Sequence, residues 1–214
     1  MQTNQVPPPQ PPQMPAFLRA AMLIAGADVV LQLLNVAEAA TYDSRVWQEG
    51  VAIALLPALC CCLLIWHMRQ GYTAAKWGYL ALVSGATSLS WLFAEEYLGS
   101  PLTTLLFAVG TATTVLAGLG LLHPLTTRWF QARHRMRTMY SMPLQKDNAM
   151  QMLHWGLVWL VSPLVVLKGA LLAQLSTAPL AGVLGAGVPM VLVGCVLLAI
   201  GAHRLRRLKL RGLR

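Results

Sequence analysis

The chain has 214 residues, of which 57% are hydrophobic and only 11% charged, with a mean hydropathy of +0.58. About a quarter of the residues in an ordinary soluble domain are charged, and a disordered chain needs low hydrophobicity, so both classes are excluded. Sixteen Lys and Arg against seven Asp and Glu leave a net charge of +9, which in a membrane protein reports first on topology.

Residues 1–15, MQTNQVPPPQPPQMP, hold six prolines and read as a Pro/Gln-rich disordered cytoplasmic tail. The apolar run that follows is too long for the core of a cleavable signal peptide, and its leader lacks basic residues. Six segments are long and apolar enough to cross a bilayer: Ala16–Ala37, Gly50–Met68, Trp77–Ala94, Leu102–Leu122, Leu153–Ala173 and Pro179–Ala202. They make residues 16–202 an all-α transmembrane domain. The short connections predict three antiparallel hairpins. Strands are excluded, because the runs are long and lack period-two alternation.

Charge orients these spans. With the N-terminus inside, fourteen of the sixteen Lys and Arg fall on the cytoplasmic side, and only Arg45 and Lys168 fall outside. The acids run the other way, with Glu38, Asp43, Glu49, Glu95 and Glu96 outside and Asp147 inside. Six spans with both termini inside preserve this asymmetry, and an odd number destroys it. The expected location is therefore a bacterial inner membrane, crossed several times.

The largest soluble piece is the basic loop 123–152. Its TTRWFQARHRMRTMYSMP stretch places Trp129, Met136 and Tyr140 at roughly helical spacing, with Arg128 and Arg135 largely off that stripe. A helix of this kind, carrying Arg133 and Arg137 as well, suits an anionic membrane surface, with a partner-binding helix as the alternative. Residues 203–214 form a basic cytoplasmic tail with Arg204, Arg206 and Arg207. A stop-transfer anchor or a lipid-headgroup site explains such a tail better than a nucleic-acid contact does.

Ionisable groups inside spans are costly, so each is a candidate site. Asp28, Gln32 and Asn35 follow i, i+4, i+7 and share one helix face. Two readings are open: a polar contact binding helix to helix, or a proton, ion or substrate path. Lys168 lies near the outer end of the fifth span, within reach of Asp28 if the first and fifth spans touch. Ser84, Ser88, Trp91 and Glu95 share a face of the third span. Gly110, Thr114 and Gly118, and likewise Ala178, Gly182 and Ala186, form small-residue stripes that favour close packing. Pro57, Pro163 and Pro189 each remove a backbone hydrogen bond from a span. Cys60, Cys61, Cys62 and Cys195 lie in apolar runs and read as packing residues rather than a disulfide framework.

The chemistry of catalysis has little support. No phosphate-binding loop, G-x-S-x-G elbow or H-E-x-x-H motif occurs. His67, His123, His134, His154 and His203 all map to the cytoplasmic side, without metal-ligand spacing. No catalytic residue, metal or cofactor is assigned. The expectation is a non-enzymatic accessory or assembly subunit of a larger membrane complex, of the secretion or conjugation type. Its partners are anionic lipid headgroups and other membrane subunits or further copies of itself, not nucleic acid. The alternative is a small transporter or channel built on Asp28, Gln32 and Asn35 with Lys168. An enzyme is the least favoured class.

Overall fold

In the computed structural model, residues 12–42, 44–92, 101–141, 144–172 and 177–210 are described. Among these residues the chain is helical, with no strand. Seven α-helices follow in order: α1 Ala16–Tyr42, α2 Ser44–Arg69, α3 Thr73–Leu92, α4 Pro101–Leu122, α5 Pro124–Met136, α6 Leu144–Leu172 and α7 Thr177–Leu210. A π-helical turn, Arg137–Ser141, closes α5. Among the described residues, three helical segments are long and apolar enough to cross a membrane: Ala16–Leu34, Thr104–Leu122 and Gly187–Lys209. The apolar part of α2, Leu55–Arg69, is shorter. Pro57, Pro163 and Pro189 lie inside α2, α6 and α7, each of which continues past its proline.

The core lies where α1, α2, α3, α4 and α6 meet, and it contains Leu18, Leu64, Met68, Tyr79 and Leu121. The helix α1 packs on α2 and α4, and α6 packs on α2, α3 and α7. The most extensive interface joins α6 to α7. Its cause is glycine at heptad spacing: Gly187, Gly194 and Gly201 share one face of α7 and meet Pro163, Leu160 and Leu153 of α6 in turn. That register makes the two helices antiparallel. A Cβ on Gly194 would lie 2.6 Å from the Leu160 nitrogen, so a side chain there would force the backbones apart. By contrast, Gly110 has open space around it, and Gly118 makes only ordinary contact with Leu80. The close approach belongs to the 187–194–201 series rather than to the expected stripe on α4. The Ala178–Gly182–Ala186 stripe lies outside the described side chains.

The basic end of the bundle is more ordered than a tail and a loop. Residues 12–15 pack against it: the Pro12 carbonyl accepts from Trp129 Nε1 at 3.1 Å, and Met14 touches the core. Loop 123–152 is built from α5, the π-turn and the first turns of α6. The His123 imidazole caps α5 by accepting from the Leu125 nitrogen at 3.3 Å, with Pro124 in the first turn, where its missing N–H costs nothing. Residues 203–210 continue α7 as helix. The four cysteines are free, with Cys60 and Cys61 buried and Cys62 and Cys195 exposed.

Candidate functional site

The basic end is organised by a carboxylate. Asp147, in the first turn of α6, has no exposed surface. Its Oδ1 accepts from Arg137 Nε at 2.8 Å and lies 2.7 Å from Arg137 Nη2. Its Oδ2 accepts from Gln151 Nε2 at 2.8 Å and lies 3.1 Å from His134 Nδ1. The π-turn that follows α5 begins at Arg137, so it brings α5 and α6 together through this pair.

Arg137 also reaches the turn between α2 and α3. That turn is a Schellman motif: the Gly71 nitrogen donates to the Met68 carbonyl at 2.9 Å and the Tyr72 nitrogen to the His67 carbonyl at 3.2 Å. Gly71 has φ +87°, a left-handed conformation that a side chain would strain. The turn leaves the Gln70 carbonyl free of its helix, and Arg137 Nη1 donates to it at 3.0 Å. The guanidinium lies 3.9 Å from the centre of the buried Tyr72 ring. Burial pushes the Tyr72 phenol above its ordinary pKa; Arg137 opposes that shift and Asp147 adds to it. One arginine thus fastens α5, α6 and the α2–α3 turn.

Two further groups sit beside this latch. His154 is 3% exposed, with its ring 4.5 Å from that of His67 and 5.1 Å from that of Tyr72. Both of its ring nitrogens are buried. Lys76 is buried in the first turn of α3, with Nζ 4.7 Å from the Trp77 ring and 5.6 Å from the Phe130 ring. Burial lowers the pKa of its ammonium, which lies over aromatic faces.

The second carboxylate lies inside α1. Asp28 is 1% exposed. Gln32 Nε2 donates to its Oδ2 at 3.0 Å, and Thr113 and Thr114 of α4 donate to its Oδ1 at 2.9 and 3.2 Å. Thr87 of α3 donates in turn to Thr114 Oγ1 at 3.3 Å. The Thr113 hydroxyl also lies 2.8 Å from the Gly110 carbonyl. These neutral donors join α1 to α4 and α3. Among the described residues, the buried Tyr79 hydroxyl has no hydrogen-bond partner.

Of the polar residues expected within spans, the structure brings Asp28 and Gln32 together and leaves Ser88 exposed. The Asn35 and Lys168 side chains and Glu95 fall outside the described residues. Two residues of the expected surface of loop 123–152 are covered by the chain itself. Trp129 is 4% exposed and packs against Phe130 and Pro12, and the Arg137 side chain is 10% exposed on Asp147. Arg133 is half-buried, its guanidinium 5.4 Å from the Trp129 ring. Arg128, Arg135, Arg204, Arg206 and Arg207 are exposed. The stripe on α5 therefore faces the bundle, because α5 can bury its apolar side against α3 and residues 12–15 as readily as against lipid.

No protein-family model, curated protein or solved structure matches this chain. The functional reading accordingly rests on chemistry. Among the described residues, no three His, Cys, Asp or Glu side chains cluster as metal ligands. The sequence singles out neither Thr87 nor Thr113 as a site residue, marks Thr114 only as part of a packing stripe, and marks Asp147 only as the acid on the basic side. A Thr-Thr pair on an apolar helix and a lone acid within a basic loop were the only signals they gave.

Proposed function

We propose that this chain is a non-enzymatic, six-span protein of a bacterial inner membrane, with both termini in the cytoplasm. It serves as an accessory or assembly subunit of a larger membrane complex, of the secretion or conjugation type. The helices α1, α2, α3, α4, α6 and α7 have 20 to 34 residues, and about 20 cross a hydrocarbon core of about 30 Å. Three of them supply the strongest spans; α2, α3 and α6 carry more polar groups and lie nearer the middle of the bundle.

One observation carries the assignment. The buried carboxylates hold the chain's own helices together, while α4 and α7 turn Leu105, Leu116, Leu119, Leu192 and Val196 outward. Apolar outward faces accept lipid or a neighbouring membrane helix, and the exposed Arg128, Arg135, Arg204, Arg206 and Arg207 suit an anionic membrane surface. A small transporter is the second reading, favoured by the hydroxyl line Thr87–Thr114–Asp28.

Isolation of the tagged full-length chain in mild detergent tests the assignment. A defined set of membrane proteins should accompany it in fixed ratio. A chain that purifies alone, and that drives ion flux in liposomes, favours the transporter.

A further inference from the structure

A cavity of about 290 Å³ opens between the start of α6 and the end of α7, lined by Gln145, Asn148, Arg204, Arg207 and Leu208. Two guanidiniums and two carboxamides form an anion-binding lining. Asp147, on the same turn of α6, is fully buried and engaged with Arg137, so its charge is already matched. Neither Arg204 nor Arg207 has an ion-pair partner among the described residues.

The helix that carries these arginines continues into an apolar track. Leu192, Val196 and Ile200 are exposed and, with Arg204 and Arg207, occupy a stripe about 120° wide. The glycine series 187–194–201 lies on a different face and holds α6. Leu192 and Arg204 are separated by twelve residues, about 18 Å along the helix. That distance is close to half the thickness of a hydrocarbon core, about 15 Å. The pocket thus stands where a headgroup would lie if an acyl chain ran along the track.

We infer that Arg204, Arg207, Gln145 and Asn148 form a discrete site for the phosphodiester headgroup of an anionic glycerophospholipid in the cytoplasmic leaflet, its acyl chain lying along Leu192, Val196 and Ile200. Guanidinium pairs phosphate oxygens in a planar fork, and the carboxamides donate to the remaining oxygens or to headgroup hydroxyls. This inference rests on the membrane placement proposed above and makes it specific. The lipid is bound at one inter-helix pocket rather than spread over the whole basic surface. Lipid held there would bridge α6 to α7 at the end where the latch on Asp147 begins.

The test uses the full-length chain in maltoside micelles doped with phosphatidylglycerol or phosphatidylcholine, with bound lipid counted by native mass spectrometry. The unaltered chain should retain phosphatidylglycerol in preference. The double variant Arg204→Gln/Arg207→Gln should lose roughly thirtyfold in affinity for it, the contribution of two arginines at a membrane surface. Its melting temperature in phosphatidylcholine micelles should be unchanged, since both residues are exposed. The control Arg128→Gln/Arg135→Gln removes the same charge elsewhere and should alter retention less than about twofold. Equal losses in the two double variants, or no preference for phosphatidylglycerol in the unaltered chain, overturn the proposal. So does displacement of the lipid by inorganic phosphate at equal concentration, which would make the apolar track irrelevant. Failure of the chain to enter the membrane fraction would instead overturn the membrane reading beneath it.

Discussion

Asp147 and Asp28 are both buried carboxylates, yet they are held by different chemistry. Asp147 meets a guanidinium through Nε and Nη2 and has an imidazole and an amide on its second oxygen. Among the described residues, Asp28 accepts from two hydroxyls and one amide. The first pair sits at the basic end, where arginines are plentiful. The second sits among apolar helices, where a threonine hydroxyl brings far less desolvation than a guanidinium. Among the described residues, charge pairing therefore fixes the loop to the bundle, and hydroxyl donors join α1 to α4.

The largest effect should come from breaking the charged node. Arg137→Ala takes the guanidinium from the buried Asp147, and Asp147→Asn takes the carboxylate charge from Arg137. Each should lower stability by about 3–5 kcal/mol, and the double replacement should cost less than the sum of the singles. Thermal unfolding in detergent measures this. Single variants that melt within a degree or two of the parent would mean that the latch does not hold the loop. Arg137→Lys should not rescue, because an ammonium cannot contact Asp147 and Gln70 in the same fork geometry.

Next in size is the glycine seam. Gly194→Val should cost about 1–3 kcal/mol by forcing α6 from α7. Gly110→Ala, at a position with open space, should be neutral or slightly stabilising. Equal effects at both positions would show that close approach is not what glycine supplies at 194.

Why one stripe was legible and the other was not follows from spacing. The hydropathy of the chain marks its helices plainly, because twenty apolar residues have one common use in a bilayer. The i, i+4 stripe at Gly110 and Gly118 is equally visible, but it does not mark the tight interface. The seven-residue series acts only against a partner helix, and Gly156 and Leu160 are 38 and 34 positions from Gly194 in sequence. The same limit applies to the nodes. Asp28 and Gln32 share a helix and can be paired by periodicity, whereas Thr113 and Thr114 are 85 and 86 positions away. Arg137 resembles its neighbours Arg133 and Arg135 in a linear reading. Only the π-turn and the Schellman turn distinguish it by aiming it inward. Trp129 shows that amphipathic spacing locates an apolar face without saying whether lipid or protein covers it.

A smaller effect should appear at Lys76. Its pKa is lower in the folded state than in the unfolded state, so the unfolded chain binds more protons between those two values. Stability should rise with pH through that window and level off above the ordinary lysine range, near 10.5. Lys76→Leu should remove this rise and stabilise the protein where the lysine is charged. A profile of melting temperature against pH for both chains checks the sign; an unchanged slope in the variant would assign the dependence to another group.

The smallest effect on stability, and the most informative for function, should come from Asp28→Asn. The remaining Oδ1 can still accept from Thr113 and Thr114, and a flip of the Gln32 amide restores the third bond. The cost should stay near 0.6 kcal/mol, the usual worth of one polar contact between membrane helices. Asp28→Leu loses all three bonds and should loosen the bundle. The decisive measurement pairs the melting temperature of Asp28→Asn with the set of membrane proteins it carries through mild-detergent purification. A structural subunit predicts a folded variant with an unchanged partner set and full complementation of a deletion strain. A variant that is folded but inactive, with ion flux present in the parent and abolished by the substitution, contradicts that account and makes Asp28 the centre of a transport path.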